Sequence, residues 1–166
     1  MGIIFCEKER LFKLDTPNTT YIIGLIAEEG FLGHAYYGSK IQDIQGASAL
    51  MRIYEAPFTP DTNARDRLSF LDCFPTEYSA HGVGDYRESS IRVTTRGGYN
   101  AVSLTYVSHE IYRGKRELAE LPATFGTEDE VTTLAIVCED KAIGLTAVLE
   151  YSVFEQVDAI ARSVRI

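Results

Sequence analysis

The densest run of chemistry-bearing side chains is residues 74–87, where Glu77, Asp85 and Arg87 stand among Tyr78, His81 and Tyr86 with neither helical nor strand periodicity. Two carboxylates in one structured loop have three uses. They can supply the acid and the nucleophile or base of glycosidic cleavage, if the fold brings them to the separation that this chemistry needs. With Arg87 they can hydrogen-bond sugar hydroxyls, while Tyr78 and Tyr86 offer flat apolar faces. Or they satisfy one another as ion pairs and fix a long loop, the use that residue types alone favour, because structural ion-pair networks are common.

Spacing weakens the other chemistries. Cys6, Cys73 and Cys138 are odd in number, far apart and without a second Cys or a His at ligand spacing, so buried thiols are expected rather than a metal or redox centre. His34, His81 and His109 are scattered, as hydrogen-bonded structural histidines would be, and no metal site or cofactor is expected. Gly-x-Ser-x-Gly does not occur. Gly82-Val83-Gly84 is followed by Asp85, which repels phosphate, with no Lys or helix at the required place. Glu128-Asp129-Glu130 lacks the spaced oxygen ligands of a calcium loop.

The elements that must position these groups are strands. Residues 10–14 and 20–26 are β-rich and flank the turn former Asp15-Thr16-Pro17-Asn18, and residues 31–38 follow as a strand whose glycines mark a bulge or a close backbone approach. Periodicity weakens from residue 40 to 71, where Pro57, Pro60, Asp61 and Asn63 predict a long loop, and loops of that length in a compact domain are usually functional. Residues 90–95 and 101–107 alternate around Arg96-Gly97-Gly98-Tyr99-Asn100, a hairpin signal that residues 109–113 extend. Residues 132–138, 143–154 and 159–166 alternate again, with residues 139–142 as a turn. The pattern predicts an all-β fold, a large antiparallel two-layer β-sandwich, with Leu11, Ile22, Leu32, Ile91, Leu104, Ile136, Leu145, Leu149 and Val153 in the core. The last strand is still alternating at Ile166, so a fragment is expected.

A chain of 166 residues with 45% hydrophobic and 24% charged residues is one globular domain, spanning 1–166. Its 16 Lys+Arg against 24 Asp+Glu leave a net charge of -8, which repels phosphate backbones and anionic lipid, so neither nucleic acid nor a membrane is expected as a partner. The first residues lack the basic start and apolar core of a signal peptide, and a cytoplasmic location is expected. Asn18-Thr19-Thr20 is then a sequon without consequence.

Four runs carry a resemblance to a known family. Gly33-His34-Ala35-Tyr36-Tyr37-Gly38, residues 77–87, Tyr106-Val107-Ser108-His109-Glu110-Ile111-Tyr112-Arg113-Gly114-Lys115 and Leu121-Pro122-Ala123-Thr124-Phe125 resemble the amino-terminal region of glycoside hydrolase family 36 α-galactosidases, in register from Phe5 to the last residue. The resemblance implies a supersandwich-like β-domain preceding a (β/α)₈ barrel, with the catalytic aspartates in that barrel and none in this chain. It implies retaining hydrolysis of terminal α-galactosyl linkages, as in melibiose and raffinose, by a full-length homo-oligomer, a tetramer in many bacterial members. The sandwich would lie near the active-site mouth of its own or a neighbouring subunit. Phe58-Thr59-Pro60-Asp61 is similar to the family's Phe-Ser-Pro-Asn motif, and an acidic side chain just before that motif, which contacts galactose in some members, falls at Tyr54 or Glu55. Tyr54, Glu55, Phe58 and Asp61 are thus candidates for the substrate rim, and Glu77, Asp85, Tyr86 and Arg87 for a structured loop beside it. Ser79, His81 and Tyr86 depart from the family's commoner Pro, Tyr and Phe.

Two other functions compete with a non-catalytic assembly domain. A free-standing carbohydrate-binding module would bind through exposed aromatics such as Tyr54, Phe58 and Tyr86. An independent glycosidase would use Glu77 and Asp85.

Overall fold

Eight β-strands form in the computed structural model, which describes residues 2–26, 30–51, 69–82, 84–119 and 122–166. Strands β1 (Ile3–Cys6), β2 (Leu11–Asp15), β3 (Thr19–Leu25) and β4 (Leu32–Ser39) form one sheet in chain order, and β5 (Thr105–Arg113), β6 (Val131–Asp140), β7 (Leu145–Phe154) and β8 (Ala159–Arg165) form a second. Every pair of neighbours is antiparallel, as the expected sandwich requires. No helix among the described residues is long and apolar enough to cross a membrane.

Because side chains alternate between faces, each strand of the first sheet feeds two packing layers. Phe12, Leu14, Ile23 and Leu25 point between the sheets and meet Leu134, Ile136, Leu149, Tyr151 and Val153 from β6 and β7. Burying each aliphatic or aromatic side chain of this set stabilises the fold by about 1.5–3 kcal/mol before chain entropy is counted. Leu11 and Ile22, expected in this core, are fully buried but on the opposite face, under Ala47, Ile41 and Ile44. A third cluster of Ile26, Phe31, Phe70, Leu71 and Phe74 roots the loop that begins at residue 74. Gly33 marks the expected close approach: a Cβ there would overlap the Phe74 ring.

Of the other expected core positions, Leu32, Leu104, Ile136, Leu149 and Val153 are buried, whereas Ile91 and Leu145 are only half-buried. The expected hairpin of residues 90–95 with 101–107 does not form. Its turn exists, with the Thr95 amide donating to the Tyr99 carbonyl at 2.9 Å, but the flanks pair elsewhere. The Ser90 amide bonds the Ser79 carbonyl (3.1 Å), the Val102 amide the His81 carbonyl (2.9 Å) and the Ser103 amide the Asp140 carboxylate (2.8 Å), so the ladder's donors are taken by the 79–81 loop and by β6. Strand β5 therefore starts at Thr105. Residues 91, 93 and 95 still alternate inward without a ladder. Of the three thiols expected to be buried, Cys138 is, Cys6 is half-buried and Cys73 is exposed at the end of the short 3₁₀ turn Ser69–Asp72.

Candidate functional site

The loop carrying Glu77 is fastened to β4 through its backbone. The His34 amide donates to the Pro75 carbonyl (2.8 Å) and the Glu77 amide to the Leu32 carbonyl (2.9 Å), which sets residues 75–77 as a short added edge on the first sheet. That edge aims the Glu77 side chain between the sheets, where Glu77 is 8% exposed. The Tyr21 hydroxyl on β3 donates to its Oε1 at 2.5 Å, and the Tyr151 hydroxyl on β7 donates to its Oε2 at 2.6 Å. Arg162 on β8 adds Nη2 to the same Oε2 at 2.9 Å and to the Glu77 carbonyl at 3.0 Å. The guanidinium also lies 5.0 Å from the centre of the Tyr151 ring, within cation–π range.

This carboxylate ties the two sheets together. Burial, and then the negative Glu77 beside them, push the Tyr21 and Tyr151 phenols up, so both stay protonated donors at neutral pH. Burial works against the charge of Arg162, but Tyr151 and Glu77 outweigh it and hold its pKa above the ordinary value. Both Glu77 oxygens are occupied, in a setting that a water molecule or a sugar oxygen would have to break open.

Asp85 is held more locally. It is 5% exposed, and its Oδ1 accepts from the Arg87 amide (3.1 Å) and Nε (2.8 Å), while its Oδ2 accepts from Arg87 Nη2 (2.8 Å). The same Nη2 reaches the Phe74 carbonyl at 2.6 Å and the Leu71 carbonyl at 3.2 Å, stapling the two ends of the loop. Burial alone would raise the Asp85 pKa, but the Arg87 bonds prevail and hold its carboxyl below the usual carboxylate range. It is ionised at neutral pH and has no proton to give. Tyr86 projects outward, 81% exposed, beside a polar groove of about 390 Å³ lined by His81, Arg87, Glu88, Arg92 and Asn100.

The structure thus brings Glu77, Asp85 and Arg87 into one loop but gives each carboxylate its own arginine. Tyr54, Glu55, Phe58 and Asp61 lie outside the described residues. Among the described residues no group of three or more His, Cys, Asp or Glu side chains could hold a metal ion. Sequence reasoning missed Tyr21, Tyr151 and Arg162. The sequence offered no more than a charged residue, Arg162, inside a strand-like segment; that it lies opposite Tyr151 comes from the register of β7 and β8.

A family model described as "Glycosyl hydrolase family 36 N-terminal domain" matches residues 30–166. The chain is 36% identical over 166 residues to the α-galactosidase AgaA of Geobacillus stearothermophilus, covering 99% of this chain and 22% of that protein. Its fold is similar to the galactosidase domain of the α-galactosidase-sucrose kinase AgaSK, with a TM-score of 0.87, 34% identity and coverage of 98% of this chain and 22% of that one. It is also similar to a variant of AgaA from G. stearothermophilus in complex with raffinose, with a TM-score of 0.82, 35% identity and coverage of 93% and 21%. The chain therefore spans about a fifth of the length of these relatives.

Proposed function

The chain belongs to the N-terminal domain family of glycosyl hydrolase family 36, and on that premise we propose that it is the non-catalytic β-sandwich of an α-galactosidase. The longer enzyme removes terminal α-galactosyl units with retention, using a nucleophile and an acid/base outside these residues. The observation that carries the assignment is the fate of Glu77 and Asp85. Their oxygens are spent on tyrosine and arginine donors, one joining the sheets and the other closing a loop, so neither is free to protonate a leaving group or attack an anomeric carbon.

The purified chain should therefore not turn over 4-nitrophenyl α-D-galactopyranoside. Turnover that vanishes in Glu77→Gln or Asp85→Asn would overturn the assignment.

The finer roles belong to the same proposal. Tyr54, Glu55, Phe58 and Asp61 form a rim against the barrel of the same or a neighbouring subunit, within a homo-oligomer, and galactoside oligosaccharides are bound by the whole enzyme. A cytoplasmic setting is supported by the thiols of Cys6 and Cys138. Glu55→Ala in the full-length enzyme should lower kcat/KM by roughly five- to a hundredfold with an unchanged melting temperature, as the loss of one sugar contact does. Unchanged kcat/KM with a lowered melting temperature would make the 52–67 segment structural instead.

A further inference from the structure

Two glycines face each other across the β3–β4 pair. Gly24 and Gly33 are register partners, and their neighbours Ile23, Leu25 and Leu32 point between the sheets. Both glycines therefore lie on the opposite face, side by side. We propose that they are positioning residues of the α-galactosidase: the gap they leave seats Met51 and Phe74, and so fixes both ends of the segment that carries the substrate rim. This rests on the reading of residues 52–67 as that rim.

Neither glycine is needed for its backbone. Both have φ outside the left-handed region, so alanine could adopt the same dihedrals, and it would strengthen a strand interior that glycine weakens. The positions lack room for it. A Cβ on Gly24 would overlap the Met51 side chain, whose Sδ, Cγ and Cε are the three nearest atoms, and a Cβ on Gly33 would overlap the Phe74 ring. Opposite positions on such a pair lie about 4.5–5.5 Å apart at Cβ, so the two seats adjoin.

The main chain is held on either side of the seats. Met51 ends the 3₁₀ turn Ala47–Leu50, with its amide donating to the Ser48 carbonyl at 3.0 Å. The Ser48 hydroxyl donates to the Glu9 carboxylate at 2.5 Å, which ties this turn to the β1–β2 connection. Phe74 follows the turn Ser69–Asp72; its amide donates to the Phe70 carbonyl at 2.9 Å, and its own carbonyl accepts from Arg87 Nη2 at 2.6 Å. Its ring meets the Phe70 ring edge-on at 5.3 Å and is buried. Met51 touches both outer clusters but is only half-buried, so it is the end that one substitution can free without opening the core.

A segment fixed at both ends to one point of a rigid sheet passes displacements of that point to the groups it presents. Displacements of about 1 Å near reacting groups can lower rates by up to a hundredfold, whereas a packing contact with no such role changes stability alone.

The test is the hydrolysis of 4-nitrophenyl α-D-galactopyranoside by the full-length enzyme. Met51→Ala should lower kcat/KM by about three- to thirtyfold, and Gly24→Ala, which removes no native atom, should do the same by filling the seat. Met51→Leu, which refills the seat with an aliphatic chain, should stay within about twofold of the wild type. In a Glu55→Ala background, Met51→Ala should add less than about twofold, because both changes act on one contact. Full kcat/KM in Met51→Ala and Gly24→Ala with a lowered Tm, or losses that multiply with that of Glu55→Ala, would overturn the socket as a positioning device and leave the rim standing. Glu55→Ala without effect would instead remove the rim, and this proposal with it.

Discussion

Glu77 and Asp85 sit in one loop, are both buried and both bind an arginine, yet they serve different scales of the molecule. The partners of Glu77 are 56, 74 and 85 residues away in sequence and come from both sheets. Arg87, the main partner of Asp85, is two residues away, and the carbonyls that Arg87 also binds lie within the preceding turn. Residue type and burial therefore do not distinguish a joint between layers from a local staple; the sequence distance of the partners does.

The largest effect should come from the joint. Glu77→Gln leaves Arg162 without its counter-charge and turns an amide donor toward hydroxyl and guanidinium donors. We expect a loss of about 2–4 kcal/mol in urea unfolding, discounted from the range for fully buried pairs because Arg162 is half exposed. A loss below that of Asp85→Asn would break the contrast between the two carboxylates.

Tyr151→Phe removes one hydrogen bond to the carboxylate and should cost about 1–2 kcal/mol near neutral pH. It should also change the alkaline limb. The folded pKa of Tyr151 is raised, so its contribution is complete below the unfolded value of 10.0 and is lost as pH rises above it, when the unfolded chain releases its proton first. Wild-type stability should fall beyond pH 10, and the variant should fall less steeply on the same axis.

Asp85→Asn should cost about 1 kcal/mol globally, since its arginine is nearly half exposed to solvent screening and the pair it breaks lies within one loop. Its sharper signature is local: amide exchange should accelerate across residues 74–87 while β6 and β7 remain protected. Uniform acceleration through both sheets would make this loop a joint as well.

The smallest effect concerns acid. Burial against Phe5 and Phe12 holds the His109 imidazole below its ordinary 6.5, with Tyr106 bonded to its Nδ1 at 2.8 Å. The unfolded chain then takes up the proton first, so this contribution is complete above pH 6.5 and declines as pH falls below it. His109→Phe should flatten that part of the stability profile by a few tenths of a kcal/mol, and an unchanged slope would exclude His109 as its source.

How much of this was legible in the sequence follows the same division by scale. Alternation over 132–138 and 143–154 predicted β6 and β7, to within two residues at each end, because each strand writes its own period into its residues. The four residues of β1 were too few to show a period. Residues 90–95 also alternate, but whether an alternating segment finds a ladder partner depends on which carbonyls lie opposite, and there the 79–81 loop took them. The Asp85–Arg87 pair was readable as a local ion pair. The Glu77 joint was not, because nothing in Tyr21, Tyr151 or Arg162 announces that their strands converge on one carboxylate.

The most direct measurement is a double-mutant cycle on Glu77→Gln and Arg162→Gln, read by urea unfolding of the chain. If Glu77 joins the sheets, the two substitutions should couple by about 1–3 kcal/mol, with the double variant less destabilised than the sum of the single ones. Additivity to within about 0.3 kcal/mol would show that the carboxylate and the guanidinium act independently, and would contradict the assignment of Glu77 to structure rather than chemistry.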